Sequence, residues 1–212
     1  MRYLTPLALA ALLAPLQAAA DTATATFAGG CFWCVEADFE SVAGVGDAVS
    51  GFTGGTTADP VYRASGDHIE AVEIPFDPAT VDYRTLVDLF LRSIDPFDAG
   101  GQFCDRGLEY TPAIFVHGPE QRAAAESAIA DAAAELGRPL VVPVRDAGAF
   151  YPVDAYHQGY YASDDRLAIS SVGLGVPKKV AYKRYRDRCG RDQRVRAVWG
   201  DDAPFLPDGA AG

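Results

Sequence analysis

Two consecutive glycines, Gly29-Gly30, separate a short strand-like segment from a run with helical spacing, and this junction constrains the chain more than any other part. Thr24 to Phe27 reads as a strand. Cys31 to Val42 reads as a helix, because Phe32, Val35, Phe39 and Val42 recur on one face. A strand that turns through glycines into a helix puts Cys31 in the first turn, where backbone N–H groups without helical partners and the helix dipole favour an anion. A thiol reacts as its thiolate. At an ordinary pKa near 8.5 about 3% is ionised at neutral pH, and a value of roughly 7 raises that to about half. The expectation is a Cys31 nucleophile of lowered pKa, with Phe32 and Trp33 as an apolar wall. The plainer reading is a buried cysteine among core aromatics.

Downstream, Val45 to Thr53 alternates like a strand and ends in Gly54-Gly55, and 56–67 is a polar loop. Ile69 to Phe76 reads as a strand with Glu73 out of step. Tyr83, Leu86, Val87, Phe90, Leu91 and Ile94 form a helical stripe closed by Asp95-Pro96. A Gly-rich loop, 98–109, carries Cys104. Pro112 to His117 is a predicted strand, followed by an Ala-rich helix that opens at Pro119 and stops at Gly137. Leu140 to Arg145 reads as a strand and Asp154 to Tyr161 as a short helix. Strands alternating irregularly with helices predict a two-layer α+β domain with a mixed sheet. The stretch 163–212 has no firm period and is expected to be an irregular, mobile tail.

Residues 1–20 read as a secretory signal peptide: Arg2, a Leu/Ala-rich stretch from Leu4 to Leu16, and the small residues Ala18-Ala19-Ala20 before a mature start at Asp21. The alternative is a retained anchor helix. The expected division is thus signal 1–20, catalytic domain 21–162 and tail 163–212, with an exported, periplasmic or secreted location and no membrane attachment after cleavage. Hydrophobic content of 49% with 22% charged residues suits a packed core. A net charge of −11 argues against nucleic acid and anionic membranes as partners, since both need a basic patch. Four cysteines, Cys31, Cys34, Cys104 and Cys189, allow three pairings, and they are too few for a disulfide scaffold of this size.

Gly30-Cys31-Phe32-Trp33 before an acidic helix resembles the active-site signature of the A-type peptide methionine sulfoxide reductases. Thr53-Gly54-Gly55, Pro60-Val61-Tyr62, Gly66-Asp67-His68-Ile69-Glu70-Ala71-Val72, Asp95-Pro96, Gly101-Gln102-Phe103-Cys104-Asp105-Arg106-Gly107, Phe150-Tyr151-Pro152 and Tyr156-His157-Gln158 follow in the family's order. The resemblance covers 24–162 and resumes around 182–192. It implies a ferredoxin-like sandwich and reduction of the S epimer of methionine sulfoxide, free or in proteins, through a cysteine sulfenic acid and an intramolecular disulfide. It assigns attack to Cys31, proton donation to Glu70, hydrogen bonds to the sulfoxide oxygen to Tyr62 and Tyr110, the methyl cage to Phe32 and Trp33, and a pocket carboxylate to Asp105. Cys189 resembles the recycling cysteine, with Cys104 and Cys34 as further resolving candidates. No bound cofactor or metal is expected; the disulfide must be reduced by exchange with an external dithiol, and outside the cytoplasm, without free NADPH, a thioredoxin-like domain is the expected donor.

The chemistry of the residues agrees with that assignment. A sulfoxide sulfur is electrophilic only if its oxygen is protonated or strongly hydrogen-bonded. An exposed Glu holds its proton about 0.2% of the time at pH 7, whereas burial against Phe32 and Trp33 would raise the Glu70 pKa by several units. His68 and His157 read as structural. The chain departs from the family at Cys34, Asp67 and Thr111-Pro112, and 163–178 reads as an insertion. Competing readings are a thiol–disulfide oxidoreductase using Cys31/Cys34, a four-cysteine zinc site and an acidic binding protein stapled by disulfides.

Overall fold

A six-stranded mixed sheet carries the molecule, and the alternation of each strand decides which side chains meet the helices. The structure, a computed structural model, describes residues 22–170 and 173–207. The expected signal segment 1–20 and the expected start at Asp21 lie outside them. Along the chain run β1 (Ala23–Ala28), α1 (Phe32–Phe39), β2 (Val49–Thr53), β3 (Ile69–Phe76), α2 (Tyr83–Arg92), β4 (Gly101–Gln102) and β5 (Asp105–Arg106). Then come β6 (Ala113–Val116), α3 (Pro119–Leu136), β7 (Val144–Asp146), β8 (Phe150–Pro152), β9 (Arg166–Ser170), β10 (Gly173–Pro177), α4 (Lys178–Cys189) and α5 (Arg191–Trp199). The sheet order is β7-β6-β1-β3-β2-β8, with β6–β7 parallel and the other neighbours antiparallel. The fold is α+β with a mixed sheet, as the sequence implied.

Helices α1, α2 and α3 share one core with the sheet. Phe32, Val35 and Phe39 of α1, Leu86, Val87, Phe90 and Leu91 of α2, and Ala125, Ala128 and Ala132 of α3 pack with Ala25, Phe27, Val72, Ile74, Ile114 and Val116. Ala28, Ile69, Ala71, Ala113 and Phe115 form a smaller cluster on the opposite side of the strands. The irregularity read at Glu73 follows from this: both sides of β3 are covered, so neither alternation set is consistently polar. Glu70 shares its parity with Val72, Ile74 and Phe76, which turns the carboxyl toward the helix layer. The Ala-rich helix begins at Pro119 and ends at Gly137, whose left-handed φ of 63° caps it.

Three local expectations are corrected. The first helix stops at Phe39 rather than Val42. Residues 155–162 form consecutive turns rather than a helix, because their polar groups are drawn elsewhere. Gly159 N–H donates to Glu36 Oε1 at 2.8 Å, and the Gln158 amide pairs with the backbone of Ser50. The edge strand beside β6 is Val144–Asp146, parallel to it, rather than 140–145.

The expected irregular tail is the largest correction. Arg166–Ser170 and Gly173–Pro177 pair antiparallel, and α4 and α5 follow. Val195 and Trp199 enter the main core, while Leu167, Ala181 and Tyr182 pack with Cys31 and Cys34. Arg191 is 2% exposed and donates to the carbonyls of Gly29 and Ser93, both at 2.8 Å. Arg186 pairs with buried Asp38 of α1 at 2.6 Å. Guanidinium groups, rather than an apolar stripe alone, tie this segment down. Among the described residues no helix is long and apolar enough to cross a membrane.

Candidate active site

The two glycines let the backbone pass where a side chain could not. A Cβ on Gly29 would lie 3.0 to 3.1 Å from Val35, Ile94 and Phe90. Gly30 has φ +81°, and a Cβ there would meet Gln102 at 2.6 Å. Gln102 is fixed in turn by its amide group on the N–H and C=O of Asp95. The chain then enters α1 with Cys31 at the N-cap, and the Cys31 side chain makes no cap hydrogen bond. The Phe32 N–H, an orphan donor of the first turn, donates instead to Glu70 Oε2 at 2.9 Å. One hydrogen bond therefore ties the helix start to β3 and sets the carboxyl beside the cysteine.

Cys31, Phe32, Trp33, Tyr62, Glu70, Asp105, Tyr110 and Tyr185 surround a cavity of about 70 Å³. Every first-choice pocket residue of the sequence reading except Cys189 lines it. Glu70 is 3% exposed. Burial pushes its pKa well up against the opposing Phe32 hydrogen bond, and the neighbouring Glu109 and Asp105 charges push it further. The shift favours the protonated form of the carboxyl. Burial raises Tyr62 to about 12 and raises Tyr110 as well, so both phenols are donors. Asp105 accepts from the Tyr185 hydroxyl, and its own pKa is raised by burial.

The thiols depart from the expectation. Burial holds the Cys31 pKa well above that of an ordinary thiol, with Cys34, Glu70 and Asp105 adding to the rise. The helix start does not reverse this, since its first available N–H is engaged by Glu70. Cys34 is the acidic partner, lowered to about 7 by the hydrogen bond from Cys31, against its own burial and with help from Arg191 and Arg186. The two sulfurs behave as a pair sharing a proton, with the charge drawn toward the Cys34 side.

Cys104 and Cys189 are joined by a disulfide with Cα atoms 4.9 Å apart, while Cys31 and Cys34 are thiols. Cys104 lies at the exposed surface, and Cys189 Sγ is 3.9 Å from Asp105 Oδ2 on the cavity wall. Cys104, Asp105 and Cys189 are a group whose ligand atoms come within 4.8 Å of one another, but both sulfurs are committed to each other.

Several contributors escaped the sequence reading. Tyr185 meets Trp33 edge-on, and Tyr160 stacks on Trp33 at 4.0 Å. His157, read as structural, does stack on Trp33 at 5.6 Å and meets the Tyr62 ring at a tilt at 4.0 Å, so it shapes the wall. His68 is structural as expected, accepting from Gly55 N–H and reaching Thr57 O. Glu36 holds the 155–162 turns from inside α1, and burial raises its pKa to about 7.

One thiol, a buried carboxyl of raised pKa and two phenols around one small cavity make a site for thiol-based reduction of an oxygen-bearing group. The family model for peptide methionine sulfoxide reductase matches residues 23–193. The chain is 44% identical over 194 residues to a peptide methionine sulfoxide reductase MsrA 2 of Rhizobium meliloti, covering 91% of this chain and 90% of that one. It is 41% identical to the MsrA 2 of Caulobacter vibrioides, covering 93% and 96%. The solved structure of methionine sulfoxide reductase A of Corynebacterium diphtheriae is similar at 27% identity and a TM-score of 0.59, covering 79% of this chain and 88% of that one. Reduced Mxr1 of Saccharomyces cerevisiae, at 22% identity and a TM-score of 0.62 over 66% and 83%, shares the fold. The chain belongs to the A-type peptide methionine sulfoxide reductase family.

Proposed function

We propose that this chain reduces the S epimer of methionine sulfoxide, free or within polypeptides, with Cys31 as the attacking sulfur. The observation that carries this reading is the buried Glu70 carboxyl, held beside Cys31 by the Phe32 N–H, with its pKa raised by burial. Cys34 receives the Cys31 proton as Cys31 attacks the sulfoxide sulfur. Glu70 delivers a proton to the oxygen, while Tyr62 and Tyr110 hydrogen-bond it. The oxygen passes to Cys31 as a sulfenic acid, and two electrons pass to the substrate sulfur, which leaves as the thioether. Phe32 and Trp33 hold the methyl group.

Cys189 then condenses with the sulfenic acid, releasing water and forming a Cys31–Cys189 disulfide. The Cys104 thiolate attacks the Cys189 sulfur and frees Cys31. The Cys104–Cys189 disulfide beside thiols at Cys31 and Cys34 fits the state after that exchange. The exposure of Cys104 supports its reduction by an external dithiol of thioredoxin type, with no bound prosthetic group required. The rival oxidoreductase use of Cys31/Cys34 is disfavoured, since those residues are only 6% and 2% exposed and a partner disulfide could not reach them. The order β6-β1-β3-β2 supports reading the core as ferredoxin-like. The segment 1–20 supports export to the periplasm or beyond.

The deciding experiment is dithiothreitol-driven turnover of separated S and R epimers of N-acetylmethionine sulfoxide. Wild type should consume the S epimer only, and Cys31→Ser should consume neither. Turnover by Cys31→Ser would move the attack to another residue.

A further inference from the structure

The catalytic cavity, at about 70 Å³, is far smaller than a site that engulfs a small ligand, which runs to roughly 300–1,000 Å³. It admits the reacting end of a side chain and leaves the rest of a substrate outside. Beside it lies a second cavity of about 260 Å³, and Trp33, Tyr62 and Tyr185 wall both. The floor of this second cavity is aromatic, with Tyr156, His157 and Tyr160 packed around Trp33. Its far side is the β9–β10 strand pair, which contributes Leu167 and Ile169.

The strand pair carries an apolar stripe that starts in the core and ends in solvent. Leu167 faces Val176 across the two strands, and Ile169 faces Leu174. Cross-strand partners and residues two apart share one side of a strand pair, so these four side chains form a continuous row. Leu167 is 7% exposed and packs with the Cys31 cluster, whereas Ile169 and Leu174 are 81% and 78% exposed. They are the two most exposed large apolar residues among the described residues. Neither supports the fold through burial. Ile169 lines the second cavity, which shares three walls with the catalytic one, and Leu174 stands next to Ile169 as its cross-strand partner.

We infer that the paired strands β9 and β10 form a specificity element, in which Ile169 and Leu174 pack against apolar residues flanking the methionine sulfoxide of a polypeptide substrate. The inference rests on the reading of the adjacent cavity as the sulfoxide site. The occupant follows from continuity: a chain whose sulfoxide enters between Trp33 and Tyr62 must lead away over the aromatic groove, and only apolar flanking side chains gain from Ile169 and Leu174. A free amino acid is too short to reach them.

The test compares wild type with an Ile169→Thr/Leu174→Thr variant, which keeps strand-favouring side chains at exposed positions. Substrates are N-acetylmethionine-(S)-sulfoxide and two peptides of equal length, one with Leu and Phe beside the sulfoxide and one with Ser and Gly. Wild type should favour the apolar peptide. The variant should lose about tenfold in kcat/KM on that peptide, through KM, and stay within about twofold on the acetylated amino acid. An equal loss on all substrates, or no loss on any, overturns the strand pair's role while leaving the sulfoxide site in place. Failure of wild type to reduce any of the three overturns the site reading and this inference together.

Discussion

The two halves of the active site are built by different physics. Cys31, Phe32 and Glu70 sit where β1, α1 and β3 meet, and apolar packing fixes them: Phe32 is 1% exposed, and the carboxyl position follows from the parity of β3. The half that holds Tyr185 and Cys189 comes from beyond residue 162. Charge holds it, through Arg186 on Asp38, Arg191 on two backbone carbonyls and Arg194 on Asp95 at 2.6 Å. Apolar packing is non-directional and tolerates small shifts. Buried guanidinium contacts are directional and expensive to lose. The half with Cys31 and Glu70 therefore rests on the sheet, and the half with Tyr185 and Cys189 is latched onto it.

This contrast is most directly broken at Glu70. Glu70→Gln keeps an acceptor for the Phe32 N–H but removes the proton, so kcat should fall by roughly 10²- to 10⁴-fold with a near-native melting temperature. Normal turnover would show that the acid lies elsewhere. On the latched half, Arg191→Met leaves the Gly29 and Ser93 carbonyls without their donor. Urea unfolding should show a loss of about 3 kcal/mol. A midpoint matching wild type would mean that α5 is held by Val195 and Trp199 alone.

A smaller effect separates the two thiols. Cys34→Ser removes the acidic member of the pair, so Cys31 must ionise against burial. The rise of kcat/KM with pH should shift upward, costing roughly tenfold at neutral pH for a displacement of about one unit. An unmoved pH profile would deny Cys34 its part in activating Cys31. The mildest prediction concerns Glu36. Its folded pKa is raised to about 7 from 4.5, so the folded chain keeps a proton that the unfolded chain releases. That contribution is full below about 4.5 and is lost as pH climbs through about 7. Glu36→Gln should make urea midpoints less pH-dependent across that window, and an undiminished slope would assign the dependence to other groups.

The sequence disclosed the first half far better than the second. The spacing of Phe32, Val35 and Phe39 marks α1, and Gly29-Gly30 marks the turn that delivers Cys31. The depressed Cys31 pKa expected there was not observed, because helix position is visible in sequence while burial depth and the Glu70 claim on the Phe32 N–H are not. The helices α4 and α5 were missed for a definable reason. Arg191, Val195 and Trp199 recur every fourth residue, and Lys178, Ala181 and Tyr182 keep helical spacing, yet each series opens on a basic residue. A search for apolar periodicity discards a row whose first member is buried by hydrogen bonds and ion pairs. The 155–162 turns were misread for a similar cause, since their donors are taken by Glu36 and Ser50, more than a hundred residues earlier.

Gly190 and Arg191 set the travel of the resolving sulfur. Gly190 turns the chain with φ +73° between α4 and α5, and the next residue is moored beneath the active-site turn. Cys189 is therefore a short tether away from a fixed anchor. When its disulfide opens, the sulfur can sweep only as far as the final turn of α4 unwinds, a pitch of about 5.4 Å. Under the proposed relay, recycling would be a local fraying at a helix end, with the rest of the C-terminal segment as the post it swings from.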